Sequence, residues 1–500
     1  MKLDQFPEDL RDHLLPSPTG GLGYHCLKCG LVHPPTELYY TCPACGGLLL
    51  LEDDQADRLK ARPGHFWRRL FDYRRMLNIQ PLSGIFAYHE FLAPLIPLED
   101  IIYLGEGHTP VVAAPAALAR EVGRPLFIKH DGQNPSASFK DRGMAAALSY
   151  LRYLIRSRHL TGVLAICAST GDTSAAAALY SAALGDQVKS AVLLPKGKVT
   201  LPQLSQPLGA GARVFELPGV FDDCMKVVEY LSENFQVALL NSKNPWRVLG
   251  QESYAFELAQ QFDYDLAGLA LLVPVGNAGN LTAILSGLLK LRRYEVIDQL
   301  PKVVAVQSSH ADPVFRYYNQ PAGPGRRYQP VTVRPSVAQA AMIGDPVSFP
   351  RVVKMVEAYN AAAGRELFFV VQVEEQAIMD NMIRANRSGL TICTQGGEGL
   401  AGLGEAIRLG LVGPEERAVV DSTAHALKFA EFQNRYFENQ LQEGFDITAR
   451  PELVNRPADI RPLGVPLPEP GRTQSPEDRA AYVAAAADDL ALALGLRKRG

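Results

Sequence analysis

Short apolar runs alternate with longer Ala- and Leu-rich runs from Leu126 onward, in the rhythm of α/β units. The clearest unit is Val163–Ala168, then the polar turn Ser169-Thr170-Gly171-Asp172-Thr173-Ser174, then a helical stretch over Ala175–Leu184. Strand-like runs recur at Ser190–Leu194, Arg213–Leu217 and Val237–Leu240. Another, Leu269–Val275, leads through glycine and asparagine into a helical stretch over Leu281–Leu291. Strands alternating with helices predict an α/β fold with a doubly wound parallel sheet.

The rest of the chain divides around this body. Residues 1–60 hold a cysteine-rich segment at about 22–50. Residues 61–110 form a helical and Pro-rich lead-in ending at Gly105-Glu106-Gly107-His108-Thr109-Pro110, which has the composition of a loop. The main body spans 111–430. Residues 431–500 form an extension, Pro-rich over 450–476 and helical over Asp478–Leu496, with no chemistry assigned to it. With 47% apolar residues, 500 positions suffice for two or three packed units. Fifty basic and fifty-three acidic side chains leave a net charge of −3, which favours neither nucleic acid nor an anionic membrane and points to small-molecule chemistry. There is no secretory pattern at the N-terminus and no apolar run of about 18 residues, so no membrane association is expected and the cytoplasm is the default compartment.

Four of the seven cysteines form two Cys-x2-Cys pairs, Cys26/Cys29 and Cys42/Cys45, with Gly30 and Gly46-Gly47 after the knuckles. Cys167, Cys224 and Cys393 stand alone, which argues against a disulfide framework. The paired spacing fits a zinc ribbon in which four thiolates hold the ion tetrahedrally, a closed and therefore structural site; four buried thiols are the alternative.

Two segments carry candidate chemistry. Gly276-Asn277-Ala278-Gly279-Asn280 follows an apolar strand and opens a helix, where backbone N–H groups can wrap a phosphate; a plain tight turn is the other reading. Asn134-Pro135-Ser136-Ala137-Ser138-Phe139-Lys140-Asp141-Arg142-Gly143-Met144 runs into a helical stretch over Ala145–Leu154, with Lys140 at its entrance. An ammonium at the positive end of a helix dipole is disfavoured, which suits a lysine that must act as a neutral amine. A solvated lysine paired with Asp141 is the alternative.

Ser-Phe-Lys-Asp-Arg-Gly-Met resembles the cofactor-lysine motif of fold-type II pyridoxal-phosphate enzymes, the tryptophan synthase β-like class, in the form used by threonine synthases. Further segments match in the same order: 105–110, Ser169–Ser174, Leu194–Lys198, Asn241–Arg247 with Gly250-Gln251, and Val273–Asn280. Together they cover roughly residues 20 to 430. The resemblance implies two α/β subdomains behind a small zinc ribbon, with 111–430 as the catalytic region. It implies that Lys140 carries pyridoxal 5'-phosphate and moves protons at Cα and Cβ of the substrate, and that Gly276, Asn277, Ala278, Gly279 and Asn280 hold the cofactor phosphate. Ser169, Thr170 and Thr173 would receive the substrate carboxylate. Asp172 would lie near the cofactor's phenolic oxygen, where many relatives have asparagine. Asn241, Ser242 and Arg247 match the substrate-phosphate grip, a task suited to a forked guanidinium; an ordinary surface ion pair is the alternative for Arg247. Ser422-Thr423-Ala424-His425-Ala426-Leu427-Lys428 resembles the family's Thr-Gly-His-Gly-Leu-Lys segment, placing Thr423 at the pyridine nitrogen and leaving His425 a structural role.

The activity implied is conversion of O-phospho-L-homoserine and water to L-threonine and phosphate, by a lyase acting on a phosphoamino acid. The nearest alternative is another reaction on the same scaffold, such as cysteate formation from O-phosphoserine, and a further one is a non-catalytic ligand-binding protein. A homodimer is left open. Cys393-Thr394-Gln395-Gly396-Gly397-Glu398 departs from the common Glu-Pro-Ala-Ser-Ala-Ala pattern. Glu398 there would either reach the cofactor ring or cap a helix over Leu400–Leu409.

Overall fold

The computed structural model describes residues 3–169, 171–196, 201–219, 221–323 and 325–497. The strands among them, in chain order, are β1 (Leu22–Cys26), β2 (Val32–His33), β3 (Leu49–Asp53), β4 (Val111–Ala113), β5 (Leu126–His130), β6 (Val163–Ala168), β7 (Val188–Pro195), β8 (Arg213–Leu217), β9 (Val237–Leu239), β10 (Leu269–Pro274), β11 (Lys302–Ser308), β12 (Phe368–Val373) and β13 (Arg417–Ser422). Three sheets result: β2-β1-β3, β12-β11-β10-β13-β5-β4, and β8-β7-β6-β9.

The four-stranded sheet is parallel throughout and contains the four strands whose β-branched runs stand out in the sequence. The six-stranded sheet is parallel except at its edge, where the short β4 runs antiparallel to β5, a common ending for an otherwise parallel sheet. Its centre is β10 beside β13, with Leu271 opposite Val419, and every residue of β10 is buried. The α/β expectation of parallel sheets in two subdomains therefore holds, with one antiparallel edge strand added.

Apolar packing joins the N-terminal segment to the main body. One continuous core runs from Phe6, Leu10, Tyr24 and Leu49 through Trp67 and Phe91 to Val192, Leu271 and Val303. The chain falls into two compact units, Met1–Arg450 and Pro451–Gly500. The first unit thus runs past residue 430, because the helix Ala430–Phe437 buries Tyr436, whose hydroxyl donates to Asp380 at 2.7 Å, and Arg450 reaches the same carboxylate at 2.5 Å. In the second unit the helix Pro476–Ala493 begins at Ser475, whose side chain accepts from Asp478 N. No helix among the described residues is long and apolar enough to cross a membrane.

Two glycines let the helix Lys140–Arg158 press against the helix Pro245–Gln251. A Cβ on Gly250 would stand 2.3 Å from the Arg142 carbonyl oxygen, and one on Gly143 would stand 2.8 Å from that of Arg247. Both obstacles are backbone, so no side chain can yield. Gly250→Ala is expected to destabilise the protein by about 1–3 kcal/mol, the range for overpacking, as read from a denaturant midpoint. An unchanged midpoint would show that the two helices have room to part.

Candidate active site

The carboxyl ends of several parallel strands converge, as ligand sites in open α/β sheets do. The loop after β5 carries Lys140, the turn after β10 begins at Gly276, β13 ends beside Thr423, and the turn after β9 brings Ser242 and Arg247. All of these, with Asn277, Ala278, Gly279 and Asn280, line one pocket.

The lysine loop is held by backbone pairing to the segment after β13. Phe139 N donates to the Thr423 carbonyl at 2.9 Å and His425 N donates to that of Ala137 at 3.0 Å. The next turn anchors in a buried ion network. Arg142 meets Asp131 at 2.8 Å and Glu257 at 2.6 Å, Lys129 meets Glu257 at 2.9 Å, and all four side chains are fully buried. The sequence carries this network only as the Asp-Arg-Gly following Lys140; Asp131 and Glu257 lie elsewhere in the chain and were not anticipated. Arg142→Met would leave two buried carboxylates short of their main partner, and is expected to cost about 3–5 kcal/mol, measurable in the same denaturation assay. A loss below 1 kcal/mol would mean that Lys129 suffices for both.

Lys140 opens this helix and is not paired with Asp141. That carboxyl is buried and accepts from Ser136 N at 2.7 Å, and burial pushes it up to about 7. No described residue accepts a hydrogen bond from the Lys140 amine, which lies 3.9 Å from the centroid of the Phe139 ring. Burial, and then the Arg247 guanidinium, bring the amine down to about 7, while Asp172 pulls the other way. The depression expected from sequence is present, with burial and a neighbouring cation as its leading causes.

The 276–280 turn has the form of an anion cradle. A Cβ on Gly276 would fall 2.9 Å from the Ala341 Cα, so only glycine fits. Ala278 takes a positive φ of 62° to start the helix Gly279–Arg293, and no side chain caps its first N–H groups. Asn280 Nδ2 donates to Asp421 at 2.9 Å, while Asn280 Oδ1 is buried without a partner. The uncapped backbone N–H groups at this helix start, not the Asn280 oxygen, are the donors that suit the phosphate of the anticipated cofactor.

Arg247 is not a surface ion pair. It is 3% exposed, its Nη1 donates to the Leu240 carbonyl at 2.9 Å, and its Nε has no partner. Burial lowers it to about 10, and no carboxylate among the described residues faces it. Ser242 lies beside it in the pocket. Asn241 is placed differently: its amide accepts from Ala168 N at 3.0 Å and donates to Ala168 O at 2.7 Å, tying the end of β9 to β6 instead of lining the pocket.

The anticipated carboxylate group is less fully placed. Ser169 Oγ accepts from Gly171 N at 3.3 Å, Thr173 lies in the first turn of the helix Asp172–Ala182, and Thr170 is outside the described residues. Neither Ser169 nor Thr173 is among the pocket-lining residues. Asp172 is paired with Lys428 at 2.8 Å, so its charge is met before any cofactor oxygen approaches. His425 Nδ1 accepts from Leu427 N at 3.2 Å, capping a short turn.

The Cys393–Glu398 segment is resolved in a way that the sequence did not suggest. The helix begins at Thr394, not near Leu400, with the Cys393 thiol as its cap accepting from Gly396 N. Glu398 is therefore neither a helix cap nor a pocket residue. It is fully buried, accepts from Ser308 N at 2.9 Å, and is pushed well above the usual carboxylate range by burial and by Glu375. Gln395 lines the pocket instead, with both amide atoms buried and unpartnered. The unusual polar residue was visible in the sequence, but which side chain faces inward depends on where the helix starts.

Away from the pocket, β1–β3 form the expected ribbon. The sulfur atoms of Cys26, Cys29, Cys42 and Cys45 lie within 4.8 Å of one another, with Cys26···Cys45 at 3.5 Å and Cys29···Cys42 at 3.7 Å. A tetrahedron with Zn–S near 2.3 Å has sulfur separations of about 3.8 Å, so the set fits a four-thiolate zinc site. Gly47 leaves no room for a side chain, since a Cβ there would sit 2.9 Å from the Cys26 sulfur.

Known proteins resemble this chain in sequence and in fold. The Pyridoxal-phosphate dependent enzyme family matches residues 102–423. Threonine synthase from Methanocaldococcus jannaschii is 33% identical over 431 residues, covering 86% of this chain and 98% of the relative. Threonine synthase 2, chloroplastic, from Arabidopsis thaliana is 33% identical over 401 residues, or 80% and 75% of the two chains. The crystal structure of threonine synthase from Escherichia coli superposes with a TM-score of 0.60 at 19% identity, covering 86% of this chain and 93% of the other, and shares the fold.

Proposed function

As this chain belongs to the pyridoxal-phosphate-dependent enzymes, and within them to the threonine synthases, we propose that its pocket converts O-phospho-L-homoserine and water to L-threonine and phosphate through the residues described above. The observation that carries the assignment of residues is Arg247, a buried guanidinium with no carboxylate partner among the described residues, in the same pocket as an amine brought down to about 7. Such an arginine is costly unless an anion completes it.

Lys140 and the 276–280 turn would hold the cofactor's carbonyl and phosphate, with Thr423 available to its ring, since all of them line the same pocket. When bound, pyridoxal phosphate supplies the electron sink that makes the substrate Cα–H acidic. Lys140 Nζ, once displaced by the substrate amine, would take the Cα proton, give it up, and as a neutral amine again take a Cβ proton as the Cγ–O bond breaks and phosphate leaves into the Ser242–Arg247 grip. One proton returns to Cγ, the oxygen of water bonds to Cβ, and Cα is reprotonated, so that the elements of phosphoric acid leave and those of water enter. Arg247 and Ser242 orient the phosphate along the bond that must break. Gln395 offers its free amide to the cofactor or substrate edge nearby. Cys26, Cys29, Cys42 and Cys45 hold a structural zinc ion.

The test is to incubate purified protein with pyridoxal phosphate and O-phospho-L-homoserine, following phosphate and threonine together. Equal amounts of both are expected, with none from O-phosphoserine. Phosphate without threonine would sink the reading.

A further inference from the structure

Two hydrogen-bonded routes run from the cysteine ribbon to the turn that bears Ser242 and Arg247, and neither is used by the chemistry above. The first passes through aromatic side chains. Tyr24, on β1, accepts from the Trp246 indole N–H at 2.8 Å and donates to the Glu37 carbonyl at 3.2 Å. The Trp246 ring lies flat on Tyr150, with centroids 3.9 Å apart and an interplanar angle of 15°, and the Tyr150 hydroxyl donates to the same Glu37 carbonyl. Trp246 immediately precedes Arg247, so the ribbon grips the helix that presents the guanidinium.

The second route is Arg351, on the helix Phe349–Ala363. It is fully buried and its hydrogen bonds all go to neutral oxygens. Its guanidinium donates to the Leu49 carbonyl at 3.0 and 2.7 Å, to the Ser242 carbonyl at 3.1 Å, to the Lys243 carbonyl at 2.8 Å and to Ser348 Oγ at 3.1 Å. Leu49 stands opposite Cys26 in the β1–β3 pairing, so a metal ligand, the ribbon backbone, Arg351 and the Ser242 turn form one chain of contacts. Ser348 extends it, since its N–H donates to the carbonyl of Asn277 in the cofactor-phosphate turn. A buried cation met only by dipoles is a poor stabiliser, whereas its fork is well shaped to lock three backbone segments in register.

We propose that Arg351 is a positioning residue for the substrate phosphate and that the metal-bearing ribbon is its outer anchor. Metal occupancy is then felt in the pocket as affinity for phosphate-bearing ligands, while the chemical step is spared. This rests on the reading of Ser242 and Arg247 as the phosphate grip.

The test uses the full-length, cofactor-loaded enzyme in a Trp67→Phe background, which leaves Trp246 as the sole tryptophan reporter, since the chain has two. Inorganic phosphate binding is read by Trp246 fluorescence and compared with KM and kcat on O-phospho-L-homoserine. Arg351→Lys and removal of zinc by a chelator are each expected to weaken phosphate binding and raise KM by about tenfold, the size of one lost charge-assisted hydrogen bond. kcat and the cofactor absorbance band should stay put, and zinc removal should add little to Arg351→Lys. Tyr24→Phe, which keeps the ring and the fold, should shift Trp246 emission and raise KM to a smaller extent. Unchanged KM in all three, or kcat and the absorbance band falling in step with affinity, would overturn the proposal. Arg247→Lys separates the two readings. If it weakens phosphate binding while the other changes do not, only the coupling fails; if it too is without effect, the grip itself is misassigned and both fall.

Discussion

Lys140→Ala is expected to abolish the visible absorbance band that pyridoxal phosphate gives on the intact protein, and to lower kcat by on the order of 10³-fold or more. In the proposed mechanism the residue both tethers the cofactor and moves the substrate protons, and a positioned acid or base alone contributes about 10²–10⁴-fold. The titration of the same group gives a signed test. Its ordinary value of 10.5 falls to about 7 in the fold because burial and Arg247 disfavour the charged amine. Cofactor loading, which needs the neutral amine, should therefore accelerate as pH rises through about 7 and level off above it. The unfolded chain holds this proton up to about 10.5 and the folded chain releases it near 7. Between those values the unfolded state binds more protons, so the group's destabilising effect is fully present below about 7 and fades as pH climbs towards 10.5. Lys140→Met should accordingly stabilise the cofactor-free protein at neutral pH and have no effect above about pH 11. A loading rate flat from pH 6 to 9 would contradict the depressed value.

Arg247→Met is expected to cut kcat/KM for O-phospho-L-homoserine by roughly 10²–10³-fold, mostly through KM. The methionine fills similar space but forfeits two charge-assisted hydrogen bonds to phosphate, worth about 1.5–3 kcal/mol each. Arg247→Lys keeps the charge and loses the fork, so roughly a tenfold loss is expected. Because the guanidinium has no carboxylate partner among the described residues, its removal strands no buried anion, and thermal stability should hold or rise. A stability loss of several kcal/mol with unchanged KM would mark Arg247 as a structural residue. The substitution would also relieve the second-largest cause of the low Lys140 value, so the loading profile should move to higher pH.

What could be read along the chain had local causes. The apolar strand running into Gly276-Asn277-Ala278-Gly279-Asn280, the Lys140 loop opening a helix, and the two cysteine knuckles are each short local patterns; the structure puts the first two on one pocket and the four thiols in one cluster. Strands β6, β7, β8 and β9 were evident because each apolar run stands apart from its neighbours. Strands β11, β12 and β13 were not singled out, since Lys302–Ser308, Phe368–Val373 and Arg417–Ser422 lack a glycine-rich turn to mark their ends. Asn241 was placed in the phosphate grip by its position in a motif, yet its amide is committed to the Ala168 backbone, a partner 73 residues away.

The sequence by itself determined the α/β rhythm and nominated the candidate lysine, the glycine-rich turn and the four-cysteine set, because each depends on neighbours in the chain and on residue types with few alternative uses. Only the tertiary structure decided how these parts act on one another. It brings Arg247 close enough to Lys140 to depress the amine, pairs Asp172 with Lys428 across 256 residues, turns Gln395 into the pocket and Glu398 away from it, and sets Arg351 between Leu49 and Ser242. Burial and charge proximity act through space at distances of a few ångströms. A linear pattern records which groups are available, and the packing of distant segments fixes which of them are dry, paired or free.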